Sequence, residues 1–252
     1  MKQYEAVIKV MEENGGFASL SYLYEKTLSI PDVIWKTKTP FASIRRIVQD
    51  NRFFFKIKPG LWALKSYKNK LPSDILSLIE EEKGIKREEM FSHSYYQGMI
   101  IELGNIKGFK TYIPPQDRNK KFLKKSLKDL VTLNDILMFT YPDVVRKVKS
   151  IDVFWFNDRR FPKFVFEVEH STDFKDSLLK LLELQDFNLS MYIVSHDKRE
   201  EEFLSKIRFS AFNPIRERIH FISYEKLSQW YARAYELMLL EKTVKRDKEV
   251  TR

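Results

Sequence analysis

Apolar positions recur at helical spacing near the start of the chain. In YEAVIKVMEENGG, Val7, Val10 and Met11 share one face and Gly15 and Gly16 end the run, which predicts a helix. SLSYLYEKTLSI predicts a second helix that stops before Pro31. In TPFASIRRIVQDN, Thr39 is placed to cap a third helix and Pro40 suits its first position. Phe41, Ile44, Ile47 and Val48 form its apolar stripe, while Ala42, Ser43, Arg45, Arg46 and Gln49 occupy the rest of its surface. FFFKIKPGLWAL then predicts two short strands about a Pro59-Gly60 turn. LKSYKNKLPSD has the polar character of a linker, and LPSDILSLIEEEKGI predicts a short bridging helix.

From Phe91 onward the pattern changes. SHSYYQGMIIELGNIKGF predicts a helix with Met99, Ile100 and Leu103 apolar, closed by Gly104 and Gly108. KTYIP, SIDVFWF, KFVFEVE and SMYIVS read as strands, with NDRRFP as a turn. STDFKDSLLKLLELQDF predicts a helix capped by Ser171 or Thr172. Helix and strand signals alternate again through RIHFISYEKLSQWYARAYELML. The expected fold is an α/β (α+β) protein of two domains, the second built on a mixed sheet flanked by helices. The expected boundaries are 1–66 for the first domain, 67–90 for the linker and bridging helix, and 91–252 for the second domain.

Charge narrows the class of partner. The 252 residues include 45 Lys+Arg against 35 Asp+Glu, a formal net charge of +10. Such a balance favours an anionic partner, nucleic acid ahead of a membrane surface. The absence of cysteine excludes disulfides, thiolate zinc sites and a cysteine nucleophile. No apolar run is long enough to span a membrane, and the polar, amphipathic start lacks a signal-peptide apolar region, so the expectation is a reduced, cytoplasmic setting. No GxxxxGK[ST] phosphate loop occurs. The charged tail EKTVKRDKEVTR is expected to fray.

Strand alternation singles out FEVEHST. Glu167 and Glu169 lie two apart and share a face with Val165 and Lys163, whereas Phe164, Phe166 and Val168 face the other way. If SIDVFWF and KFVFEVE pair as a hairpin through Asp158 to Phe161, Phe154 falls opposite Val165 and Asp152 opposite Glu167. Three acidic groups then converge. Like charges at that range repel, and a divalent cation removes the conflict. Mg²⁺ suits oxygen donors and leaves coordination positions for phosphate and water; Mn²⁺ is the expected substitute. The alternative is a half-wet sheet with solvent-facing acids.

The run Arg118, Lys120, Lys121, Lys124, Lys125 and Lys128 is the best candidate for phosphate contacts, with a solvated face as the alternative for each lysine. Gln97 and Gln185 are candidates to point toward the carboxylates, although a buried, hydrogen-bonded glutamine is the commoner use of either. His170 follows Glu169, faces away from the carboxylates and is expected to support or cap. His93, His196 and His220 are scattered, without metal-ligand spacing.

Two resemblances attach to these residues. The run TKTPFASIRRIVQDNRFFFKIKPGLWAL resembles restriction-associated winged-helix domains of the HARE-HTH type. The resemblance implies DNA contact by the third helix, through Ser43, Arg45, Arg46 and Gln49. The order of a helix with Glu102, a strand, Ile151-Asp152, Glu167-Val168-Glu169, a helix and a strand resembles the PD-(D/E)xK nuclease core, over roughly 91–196. That resemblance implies that Asp152 and Glu167 hold Mg²⁺, that Val168 offers its carbonyl, and that Glu102 completes the site. Glu169 stands where the family usually has lysine. Lys163 shares its face with Glu167 but sits about 13 Å along the strand, too far to fill in. Glu169 is left as a general base or as ligand to a second metal. The function so implied is a Mg²⁺-dependent endonuclease acting on double-stranded DNA, most like a type II restriction enzyme, with a homodimer as one route to double-strand cleavage. The rival is a DNA-binding regulator or scaffold whose nuclease-like domain is inert.

Overall fold

Burial follows the apolar stripes closely in the first seventy residues. The computed structural model describes residues 1–35, 37–79 and 86–250, with side chains described outside 86–91 and 245–250. Helix α1 (Gln3–Glu13) buries Val7, Val10 and Met11 and runs into Gly15 and Gly16, at φ 89° and 88°, where a side chain would be strained. Strand β1 (Phe17–Ser19) follows. Three residues are too short to carry a period, and no strand is predicted there. Ser19 caps helix α2 (Leu20–Leu28), accepting from the Tyr22 N–H at 3.3 Å. Helix α3 (Pro40–Ile47) starts on Pro40 as predicted and buries Phe41 and Ile44, but Thr39 makes no capping hydrogen bond. Its hydroxyl instead lies 3.2 Å from that of Thr37. Strands β2 (Phe54–Lys58) and β3 (Leu61–Leu64) pair about the Pro59-Gly60 turn, giving an antiparallel sheet of order β1-β3-β2. The bridging helix is α4 (Ser73–Ile79); residues 80–85 of its expected span lie outside the described residues.

The second half is an α/β assembly. In chain order it comprises α5 (Lys86–Ile106), β4 (Lys110–Tyr112), β5 (Lys121–Phe122), β6 (Lys125–Ser126), α6 (Pro142–Val148), β7 (Val153–Phe156) and β8 (Pro162–Val168). Then come α7 (Phe174–Leu182), β9 (Ser190–Ser195), α8 (Glu200–Ile207), β10 (Ile219–Ser223) and α9 (Tyr224–Val250). The sheet is mixed, of order β10-β9-β8-β7-β4. β7 runs antiparallel to both of its neighbours, β4 and β8, and β8, β9 and β10 run parallel. The predicted register holds, with Phe154 paired to Val165 and Val153 to Phe166. One step further along the ladder sets Asp152 against Glu167.

Alternation gives each sheet face its own helix. Trp155 and Phe166 lie on one face, their rings 4.6 Å apart, and α5 covers them. Gly104 makes this possible, because a Cβ there would stand 2.6 Å from the Trp155 ring nitrogen. Gly104 therefore lies inside α5 instead of closing it. The turn falls at Gly108, at φ 81°. Phe154, Val165 and Met191 lie on the other face and form one core with Leu178 and Leu181 of α7, Val148 of α6 and Phe203 of α8. Burying each such side chain contributes roughly 1.5–3 kcal/mol. α7 begins later than predicted. Its cap is Asp173, which accepts from the Lys175 N–H at 3.0 Å, because Ser171 and Thr172 fall in the turn before it.

The chain divides into two compact units, Met1–Glu88 with Ser228–Arg252, and Glu89–Leu227. This differs at the C-terminus from an expected second domain of 91–252. From Ser228 on, α9 packs with the first unit: Ala232 joins the core of Val7, Leu23 and Ile44, and the Tyr231 hydroxyl lies 3.1 Å from that of Ser21. Residues 241–250 of the charged tail continue α9, and 251–252 lie outside the described residues. Among the described residues no helix is long and apolar enough to cross a membrane.

Candidate active site

Asp152 sits just before β7, at the end of the sheet. Its Oδ2 accepts from the Val168 N–H at 2.8 Å, which ties it to the neighbouring strand. Glu167 follows the Val165 face and so meets α7. Its Oε2 accepts from Ser177 at 3.0 Å and pairs with the Lys180 ammonium at 2.9 Å. Ser177 and Lys180 stand three apart on α7 and therefore share a face. Glu169 continues along the same side; one of its oxygens accepts from the Thr172 hydroxyl, and the other lies against the Ser177 hydroxyl, whose single proton Glu167 and Glu169 share. All three acidic residues are at least nine-tenths buried.

The opposite side of Asp152 is built by α5. His93 and Gln97 are four residues apart on that helix and point together. The His93 Nε2 lies 3.3 Å from Asp152 Oδ1. Gln97, fully buried, donates to Asp117 Oδ2 at 2.8 Å and to the Asp152 carbonyl at 3.2 Å. Asp117 precedes the basic run and pairs with Lys120 at 2.6 Å. One ligand atom each from His93, Asp117 and Asp152 lie within 4.8 Å of one another. Glu167 and Glu169 are not in that group.

Burial and neighbours push these acids apart. Burial, then the Asp152 charge, drives Glu167 up to about 8 in spite of Lys180. Burial also raises Glu169, against the hydroxyl donors that favour its ionised form. Burial acts to raise Asp152 too, but the His93 charge and hydrogen bond and the Val168 N–H outweigh it and hold the group below the usual carboxylate range. For Lys180, burial acts to lower the pKa, and Glu167 more than compensates, so the ammonium is held protonated.

The donor set fits a divalent cation. Glu167 Oε1 is buried with no hydrogen-bond partner among the described residues, and a carboxylate oxygen in that condition costs on the order of 1–3 kcal/mol or more unless a cation meets it. Gln97 Oε1 is likewise buried without a partner among the described residues.

Other sequence candidates sit elsewhere. Glu102 is on α5 but nine residues after His93, half a turn round the axis, so it is not on the face that carries His93 and Gln97 to Asp152. Its charge acts on the buried Tyr95 phenol, which burial already raises. Gln185 lies beyond the end of α7 and is exposed, so it does not enter the site. The His170 ring lies 6.0 Å from that of His93, centroid to centroid, with Nδ1 2.6 Å from the Tyr224 hydroxyl. That hydroxyl donates to the Glu169 carbonyl at 2.9 Å. Lys163 is exposed.

In the first unit, Arg45 is taken up by the Tyr24 hydroxyl at 2.9 Å and by Glu236 at 2.8 Å. Arg46 and Gln49 are exposed and Ser43 half-buried, and the three follow one another at a spacing of three residues. In the basic run, Lys121, Lys124 and Lys125 are exposed on the β5–β6 hairpin. Arg118 instead buries Nε and one terminal nitrogen without a partner, and Lys120 faces Asp117.

Sequence reasoning passed over His93, Asp117, Ser177 and Lys180. Two of them left a signal. His93 and Gln97 stand at i and i+4 on one helix, and Ser177 interrupts an otherwise apolar helix face.

A family described as the type II restriction enzyme NmeDI C-terminal domain matches residues 71–247. A curated protein, type II restriction enzyme NmeDI of Neisseria meningitidis serogroup C, is 23% identical over 186 residues, covering 70% of this chain and 52% of its own length. The chain thus spans about half the length of the curated relative it matches. No solved structure matches.

Proposed function

The chain belongs to the NmeDI C-terminal-domain family of type II restriction enzymes, and from that membership we propose that it is a Mg²⁺-dependent endonuclease that hydrolyses phosphodiester bonds in double-stranded DNA. The observation that carries the reading is the buried Glu167, with one oxygen unpaired, beside Asp152 at the end of two paired strands. The strand order and directions of the sheet also suit a PD-(D/E)xK core, with Asp152 before one strand and Glu167-Val168-Glu169 at the end of the next.

In this reading Asp152, Glu167 and the Val168 carbonyl hold the cation, with Mn²⁺ able to replace Mg²⁺. A bound dication supplies Lewis-acid polarisation of a phosphoryl oxygen and lowers the pKa of its water. The chain's own groups do the rest. Lys180 brings an ammonium from α7 to the place where the family's strand lysine is missing, and holds it beside Glu167 to stabilise charge developing on the phosphate. Glu169, engaged by Ser177 and Thr172, fixes the Ser177 hydroxyl that also binds Glu167. Residues 1–66 act as a winged helix that positions the duplex, with Ser43, Arg46 and Gln49 toward the DNA and Lys121, Lys124 and Lys125 against phosphates. One centre cuts one strand, so cleavage of both calls for a homodimer or two successive events. The setting is the cytoplasm.

Purified protein incubated with methylated and unmethylated plasmid should nick or linearise one of them in Mg²⁺ and neither in EDTA. Asp152→Ala should abolish cleavage while a gel shift persists. Binding without metal-dependent cutting would instead make the chain the DNA-binding regulator.

A further inference from the structure

His93, Asp117 and Asp152 come from three separated parts of the chain: a helix, a turn after β4 and the start of β7. One ligand atom of each lies within 4.8 Å of the others. Asp117 and Asp152 are both more than nine-tenths buried; Lys120 pairs with Asp117 at 2.6 Å, and the His93 ring lies 3.3 Å from Asp152. Gln97 supports the cluster from beneath. Its amide nitrogen is committed to Asp117 and to the Asp152 backbone, and its oxygen is fully buried with no partner. A buried oxygen of this kind suits a water held by a neighbouring ion.

We propose that His93 Nε2, a carboxylate oxygen of Asp117 and Asp152 Oδ1 form a three-donor cation site for a first-row transition-metal ion. Asp152 belongs both to this site and to the carboxylate pair with Glu167. The donor set decides the class of ion. Mg²⁺ takes hard oxygen ligands and keeps most of its water. A neutral imidazole nitrogen beside two carboxylates favours Mn²⁺ and the later divalent ions, in the order of rising affinity for nitrogen donors. Gln97 acts as a positioning residue. Its bonds to Asp117 and to the Asp152 backbone hold the two acids at the spacing one ion can bridge, and outer partners of this kind matter to affinity by about 10–100-fold. The Lys120 ammonium occupies Asp117 Oδ1 and is exposed enough to swing aside as the ion enters.

The inference meets the nuclease reading at Asp152, which both sites would share, and its test does not depend on cleavage. Chelator-stripped full-length protein is titrated with Mn²⁺, free ion is followed by electron paramagnetic resonance, and bound ion is probed by spin-echo modulation for a directly coordinated nitrogen. The wild type should give the nitrogen coupling. His93→Gln should lose it and bind Mn²⁺ at least about tenfold more weakly, since loss of even an outer partner has an effect of that size. Its affinity for Mg²⁺, measured by competition, should change far less. A wild type that shows no nitrogen coupling, or a His93→Gln protein that binds Mn²⁺ as tightly as wild type, overturns the site. If His93→Gln fails to fold by circular dichroism, the wild-type nitrogen signal and the affinity of Asp117→Asn decide the matter. Plasmid cleavage by the wild type is scored separately, so an inert protein with an intact nitrogen-ligated Mn²⁺ site refutes the nuclease and keeps the inference.

Discussion

The two units treat buried charge in opposite ways. In the first, the half-buried Arg45 is met on both sides, by the Tyr24 hydroxyl and the Glu236 carboxylate, and the fold closes around a neutralised pair. In the second, Glu167, Asp152 and Asp117 gather at the end of a sheet, and two buried oxygens, on Glu167 and Gln97, are left without hydrogen-bond partners. The first arrangement is what packing alone selects. The second lowers stability unless something else enters, and local violations of the packing rules mark the places where a protein acts.

The largest effect that would sharpen this contrast is on Lys180. If its ammonium serves the reaction and not merely Glu167, Lys180→Met should lower kcat for plasmid cleavage by about 10²–10³-fold, the usual loss for one preorganised charge-stabilising group. Lys180→Arg should recover part of it. An unchanged kcat would return Lys180 to the class of Arg45, a charge used only to balance another.

A stability measurement tests the same contrast without catalysis. Below the ordinary value of 4.5 Glu167 is protonated in both folded and unfolded chains; between there and about 8 the folded chain holds a proton that the unfolded chain has released, so stability falls as pH rises through that window. Glu167→Gln removes the penalty. In metal-free buffer at pH 8 its melting temperature should exceed that of wild type, by about 2–4 °C for each kcal/mol relieved, and the gap should close toward pH 4.5. Saturating Mg²⁺ or Mn²⁺ should raise the wild type and leave the variant behind. A variant less stable than wild type at pH 8 without metal would mean that the carboxylate is already satisfied.

The smallest effect separates two adjacent arginines. Arg46→Ala should weaken DNA binding across sequences and reduce the salt slope by about 1, with unfolding unchanged. Arg45→Ala should cost about 1.5–3 kcal/mol in stability, the range for a hydrogen bond to a charged group. Exchanged outcomes would put Arg45 on the DNA and Arg46 in the fold.

Some of this was legible early because it depends on short-range periodicity. The faces of α1 and α3, the hairpin about Pro59-Gly60, and the pairing of Phe154 with Val165 all follow from repeats of 3.6 and 2 residues. Once that register is known, Asp152 and Glu167 meet at the same rung. Errors arose where a local signal had two meanings. Gly104 reads as a helix end, yet it is the point where α5 lies against Trp155. Thr172 reads as a cap, yet its hydroxyl goes to Glu169 and Asp173 caps instead.

The sequence by itself determined the mixed α/β character of the chain, the strand register and the two carboxylates set opposite one another, because each depends on residues close in the chain or on one hairpin. Only the tertiary structure brought His93 from α5, Asp117 from the turn after β4 and Lys180 from α7 around those carboxylates. Their separations in sequence carry no period, and what unites them is the packing of α5 and α7 on opposite faces of one sheet. The physical reason is that a strand can aim a side chain, but the groups that meet it are chosen by the helices that cover the sheet's two sides.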